Sequence, residues 1–138
     1  MLIKKGGFLM ELFETMIHHS SVRSFTEETV SQPLKEQLLL AAQSASSSNF
    51  LQAFSIIEIT DPEKRKAIEE IANFPVDNGT NGSLSIFVAD LNKHAQVLAR
   101  HNDATEHLRT MESLVVAIVD ATLAAQSMAV YAESVGLG

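Results

Sequence analysis

Apolar positions along the chain alternate between helical spacing and short β-branched runs, and these two periods divide it into elements. From Met10 to about His19, Leu12, Phe13, Met16 and Ile17 fall on one face of a helix. A polar stretch follows and ends in Ser31-Gln32-Pro33, where a capping serine and an early proline predict a helix start. That helix, over about 33–46, offers Leu34, Leu38, Ala41, Ala42 and Ala45 to a core and runs out in Ser46-Ser47-Ser48-Asn49. Phe54 to Thr60 reads as a strand. Asp61-Pro62 then opens a helix with Ile68, Ile71 and Ala72 inward. Residues 73–83 are turn-formers, Leu84 to Ala89 is a second strand, and a short helix covers about 90–102. Residues 105–134 read as one long helix with Gly136 as its stop.

The middle of that long helix is apolar nearly all round, and Ala117, Ala121, Ala124 and Ala125 give it a smooth side. Two uses fit: a central core helix, or a helix packed between subunits. Asp120 and Gln126 interrupt it, which favours a buried helix over a membrane span. An aspartate in such a helix has to be paired or to lie at an interface, and reads as structural. The element order is helix, helix, strand, helix, strand, helix, helix, and two strands alone make a poor sheet. The pattern therefore suggests one α+β domain, over 10–138, that is incomplete. Residues 1–9 read as a leader or an alternative start.

Charge and composition narrow the chemistry. With 10 basic against 17 acidic residues the formal charge is −7, and no basic face suggests a nucleic-acid partner. Cysteine is absent, so disulfides, thiolate nucleophiles and Cys-bound metals are excluded. The two early lysines, Lys4 and Lys5, have no sustained apolar stretch behind them, which predicts a cytoplasmic protein without a membrane partner. His18, His94, His101 and His107 lack metal-ligand spacing and read as surface residues, so no metal site is expected.

Two polar clusters, both at helix ends, could bind a ligand. In His19-Ser20-Ser21-Val22-Arg23 the guanidinium is a planar fork suited to phosphate, Ser21 adds a hydroxyl and His19 a ring donor. In Ser46-Ser47-Ser48-Asn49-Phe50-Leu51-Gln52 hydroxyls and amides can bond a polar ring edge, and Phe50 can pack on a flat group. By composition alone, each is more often a solvated loop. No P-loop, dinucleotide fingerprint, nucleophile elbow or zincin motif occurs.

Taken together and in order, the segments resemble a known family. His19-Ser-Ser-Val-Arg-Ser-Phe-Thr-Glu-Glu-Thr-Val-Ser31 is similar to the opening motif of the FMN-dependent nitroreductases, in particular the oxygen-insensitive NADPH nitroreductase and flavin reductase branch. Ala42-Gln-Ser-Ala-Ser-Ser-Ser-Asn-Phe-Leu-Gln52 resembles that branch's serine-rich segment, and Ser55-Ile-Ile-Glu-Ile-Thr-Asp61 the strand and turn that follow. Phe87-Val-Ala-Asp-Leu-Asn-Lys-His94 resembles the exit of the second strand. Asp120-Ala-Thr-Leu-Ala-Ala-Gln-Ser-Met-Ala129 and Ala132-Glu-Ser-Val-Gly-Leu-Gly138 resemble the central helix and its end.

The resemblance implies an α+β, nitroreductase-like fold working as a homodimer through the long helix 105–134, with FMN at the subunit interface. It implies FMN phosphate binding by His19, Ser21 and Arg23, with Ser20 beside them in the cofactor site and Ser47, Ser48, Asn49 and Gln52 along the flavin. It further implies NADPH or NADH as reductant, and a nitroaromatic, quinone or free flavin as acceptor in a ping-pong cycle. The flavin carries the chemistry, so no catalytic side chain is assigned. Three departures stand out. Ser20 occupies a position where the branch commonly has Arg, and 73–83 does not match the family. The glycine-rich strand and later basic residues of the family lie beyond Gly138, so the chain resembles an N-terminal part. A non-enzymatic FMN-binding or dimerisation module is the alternative.

Overall fold

The computed structural model describes residues 12–22, 25–26, 28–72 and 82–138. Among these, helices α1 (Leu12–Ile17), α2 (Gln32–Gln43), α3 (Pro62–Ala72), α4 (Asn92–Arg100) and α5 (Met111–Ser134) surround strands β1 (Phe54–Ile59) and β2 (Leu84–Ala89). The strands pair antiparallel, from Phe54 opposite Ala89 to Ile59 opposite Leu84. Helix α5 is the organiser. It packs on α2, on both strands and on α1. Ala42 from α2, Phe54 from β1, and Ala121 and Ala124 from α5 form the buried centre, with Ile56, Phe87 and Met128 against it. Alanine at these points lets the two helices approach closely, and bulk enters only from Phe54 and its neighbours.

The ends of the elements follow their sequence signals with local differences. Pro33 stands in the first turn of α2, but the Ser31 hydroxyl makes no capping bond; its carbonyl accepts from Lys35 instead. Asp61 does cap α3, where one carboxylate oxygen accepts from the Glu63 and Lys64 N–H groups at 2.9 and 3.2 Å. Gly136 stops α5 as expected. Its φ of 85° lets the Leu137 N–H reach the Ala132 carbonyl and its own N–H reach Glu133, the pattern of a Schellman cap. Gly138 then backs onto Val22, so closely that an added Cβ would lie 2.7 Å from Val22 Cγ2.

Three expectations need correction. The helix expected over 105–134 is two elements: a 3₁₀ turn at Glu106–Arg109 and then α5 from Met111. Thr110 divides them, because its backbone is extended and its hydroxyl accepts the Ser113 N–H at 3.1 Å, which starts a new helix. Next, the alanine side of α5 is the core side: Ala117, Ala121 and Ala124 are buried there, leaving none of these three for a subunit contact. The uncovered side carries Met111, Leu114, Val115, Ile118, Val119 and Leu123 instead. Finally, most of the apolar positions grouped on one face of the short helices are open, only Ile68 of α3 being half-buried. Leu12, Phe13, Met16 and Ile17 of α1 are exposed while Thr15 is buried, and Ile71 and Ala72 of α3 are exposed. Alone, α5 is long and apolar enough to cross a membrane, yet its buried face is occupied by α2 and the strands.

Candidate functional site

The serine-rich segment is a shaped loop, not a frayed helix end. After α2 the Ser44 hydroxyl donates back to the Leu40 carbonyl, and a short 3₁₀ turn follows at Ser48–Phe50. Asn49, Phe50 and Gln52 have φ values of 49°, 57° and 48°, in the left-handed region. For residues with a Cβ that conformation costs about 1 kcal/mol each, somewhat less for asparagine, so outside contacts must hold it.

Those contacts come from α5 and α4. Asp120 is buried, with 1% of its surface accessible, and uses both carboxylate oxygens on the loop. One accepts the Ser48 N–H at 3.1 Å and the other the Ala53 N–H at 3.0 Å. His94 Nε2 lies 2.8 Å from the Leu51 carbonyl; a carbonyl only accepts, so the ring proton sits on Nε2. His94 is thus half-buried and engaged, which corrects its reading as a surface residue. Within the loop, Gln52 donates its side-chain amide to the Gln43 carbonyl and its N–H to the Ser47 hydroxyl, both at 3.3 Å. Ser47 and Gln52 are half-buried; Ser48 and Asn49 are exposed, and Phe50 has 82% of its surface open. A rigid backbone therefore offers a hydroxyl, an amide and an aromatic ring outward.

The other expected cluster lies elsewhere. His19, Ser20 and Ser21 are exposed, whereas Arg23 lies outside the described residues. His19 Nδ1 donates to the Glu133 carboxylate at 2.6 Å, which ties this loop to the last turn of α5. The two clusters are thus fastened to α5 at Asp120 and at Glu133. At about 1.5 Å rise per residue these points are roughly 20 Å apart along the helix. The fold does not bring the clusters together at one point.

Between α2, α5 and the strands runs a cleft of about 520 Å³, with Leu38, Ile56, Phe87 and Met128 along it and the Lys35–Glu58 ion pair at its edge. None of the described residues in the two polar clusters lines it. Beyond β2, Asp90 caps α4 through the Asn92 and Lys93 N–H groups and accepts the Ser55 hydroxyl. The Ser55 bond, aided by those N–H groups and the Lys93 charge, holds the Asp90 carboxyl below its ordinary value against the opposing effect of burial. Among the described residues no three acidic or histidine side chains cluster closely enough to hold a metal.

The sequence shows the loop and the need for Asp120 to be paired, because a lone carboxylate in an apolar helix is itself a signal. It gave no sign of His94 or Glu133, whose partners lie in distant segments.

This arrangement, a long helix carrying a polar loop at mid-length and a small antiparallel sheet beside it, defines a recognisable class. Residues 17–138 match the nitroreductase family, and the chain belongs to it. It is 39% identical over 126 residues to the "FMN reductase (NADPH)" of Bacillus subtilis, an alignment covering 91% of this chain and 51% of that protein. It is 37% identical over 125 residues to the "Oxygen-insensitive NADPH nitroreductase" of Salmonella typhimurium, covering 91% and 50%. Among solved structures, a nitroreductase from B. subtilis superposes with a TM-score of 0.86 at 39% identity, over 93% of this chain and 52% of that one. The NADPH:FMN oxidoreductase from Vibrio harveyi, solved with NAD+, superposes at 0.80 with 30% identity, over 92% and 53%. The chain thus spans about half the length of the curated relatives it matches.

Proposed function

We propose that this chain forms part of an FMN-dependent NAD(P)H oxidoreductase of the nitroreductase and flavin reductase type. The observation that carries the reading is the serine-rich loop: its backbone is fixed from behind while Ser48, Asn49 and Phe50 face outward. The donor chemistry fits the cofactor. Hydroxyl and amide groups at Ser47, Ser48, Asn49 and Gln52 suit the polar edge of a flavin, and Phe50 suits its flat face. His19, Ser20, Ser21 and Arg23 supply the imidazole, hydroxyl and guanidinium donors that a phosphate takes. Bound FMN supplies the redox chemistry, taking reducing equivalents from NADPH or NADH and passing them to a nitroaromatic, quinone or free flavin in a ping-pong cycle. The names of the relatives support both FMN and NADPH.

The assembly we propose is a cytoplasmic homodimer. The exposed apolar side of α5 needs a cover, and a second copy of α5 supplies one. The separation of the clusters along α5 supports a shared site, with the phosphate loop of one subunit and the serine loop of the other around each FMN. The test is spectroscopic. The full-length protein, purified, should be yellow with one FMN per subunit, and NADPH should bleach it before a quinone restores the colour. A colourless protein that takes up no added FMN overturns the reading. A yellow protein that NADPH does not bleach reduces it to a flavin-binding module.

A further inference from the structure

We infer that Asp120 and His94 are the positioning residues of the flavin loop, holding it in its final shape before the cofactor arrives. The inference rests on the FMN reading above and adds to it how the loop is set. Three residues in the left-handed region do not hold themselves there. The local bonds are short-range: Phe50 N–H to the Ser47 carbonyl at 3.4 Å, Leu51 N–H to the Ser48 carbonyl and Phe54 N–H to the Gln52 carbonyl, both at 2.8 Å, and the two longer bonds of Gln52. The remaining restraint comes from distant chain, where the Asp90 N–H holds the Ala53 carbonyl at 2.8 Å and two side chains do the rest. Asp120 grips both ends of the loop at once, one oxygen on Ser48 and the other on Ala53, from a buried position in the middle of α5. His94 grips its middle through Leu51. Its other ring nitrogen, Nδ1, is buried with no partner among the described residues, so the ring's one hydrogen bond there is spent on the loop. Because these groups take the backbone from behind, the Ser48 hydroxyl and the Asn49 amide make no bond to any described residue and are left for a ligand. A loop already ordered does not have to be ordered on binding, which raises affinity without any added contact.

The decisive variant is Asp120→Asn in the full-length protein. The amide keeps one oxygen for one N–H and turns its NH₂ toward the other, donor against donor, at unchanged size. FMN affinity, titrated by flavin fluorescence quenching, should fall tenfold or more while the melting temperature stays within a few degrees of the parent. In the apoprotein, amide exchange at Ser48 and Ala53 should quicken at least tenfold, with α2 and β1 unchanged. His94→Phe, which cuts only the Leu51 bond, should weaken FMN severalfold and is the second test if Asp120→Asn does not fold. Parental FMN affinity with unchanged exchange at Ser48 and Ala53 overturns the inference. So does a uniform rise in exchange across α2, β1 and the loop, which makes Asp120 a general stabiliser. If the parent protein binds no FMN, the functional reading fails, and the exchange data still decide whether Asp120 sets the loop.

Discussion

Replacing Ile118 by Asp in the full-length protein tests whether the open side of α5 forms the contact of the proposed homodimer. In the single chain Ile118 keeps 49% of its surface open, and Met111, Leu114, Val115, Val119 and Leu123 keep between 41% and 74%. Fully burying such a side chain stabilises by about 1.5–3 kcal/mol, so covering the open half contributes about 1 kcal/mol per residue. Six residues then contribute on the order of 6 kcal/mol per subunit before the costs of association are subtracted. Aspartate at position 118 forfeits the apolar share of its own site and requires an unpaired carboxylate to be desolvated, a penalty of several kcal/mol. Two-fold symmetry applies it twice. Even half of that doubled penalty, about 4 kcal/mol, weakens dimerisation about a thousandfold. Because position 118 does not face the core, the fold itself should survive. Sedimentation velocity over a concentration series should show a micromolar protein shift from dimer to monomer, with the helical circular dichroism retained. A variant that stays dimeric at micromolar concentration, or a parent protein that is already a folded monomer, refutes the argument.

Further outcomes follow from the sequence motif at Arg23 and from other parts of the structure. Arg23→Ala should weaken FMN about tenfold or more, since a charge-assisted hydrogen bond is worth roughly 1.5–3 kcal/mol; titration of the apoprotein checks this, and unchanged affinity removes Arg23 from the site. Ser55→Ala should cost about 1 kcal/mol at neutral pH, allowing for solvent screening around Asp90. The depressed Asp90 carboxyl stabilises the fold fully above its ordinary value of 3.8, and that share is lost as pH falls through the folded value. Urea melts should therefore show parent and variant converging below pH 3.8, and a constant gap would contradict the assignment. Gly136→Ala places a Cβ at a φ of 85° and should cost about 1 kcal/mol, seen as a drop in melting temperature of a few degrees.

Much of this protein is decided by local pattern. The strand at Leu84–Ala89, the Asp61 cap and the Gly136 stop were legible because each depends on residues within a few positions of itself. The serine loop was legible as a candidate for the same reason, from the polar residues that end α2. The order of the motifs was enough to suggest the family. Tertiary structure decided what depends on distant partners. Thr110 splits the long helical pattern, since a hydroxyl that can cap Ser113 competes with the apolar period that would carry the helix through. Which face of α5 is inside could not be read from its composition, because both faces are apolar; α2 and Phe54 settle it by fitting only against the alanines. Asn49 tolerates the left-handed region, but nothing in the sequence marks Phe50 and Gln52, which ordinarily avoid it. The loop's left-handed backbone exists because one carboxylate from α5 and one imidazole from α4 reach the loop from segments more than 40 residues away, and periodicity carries no information about such pairings.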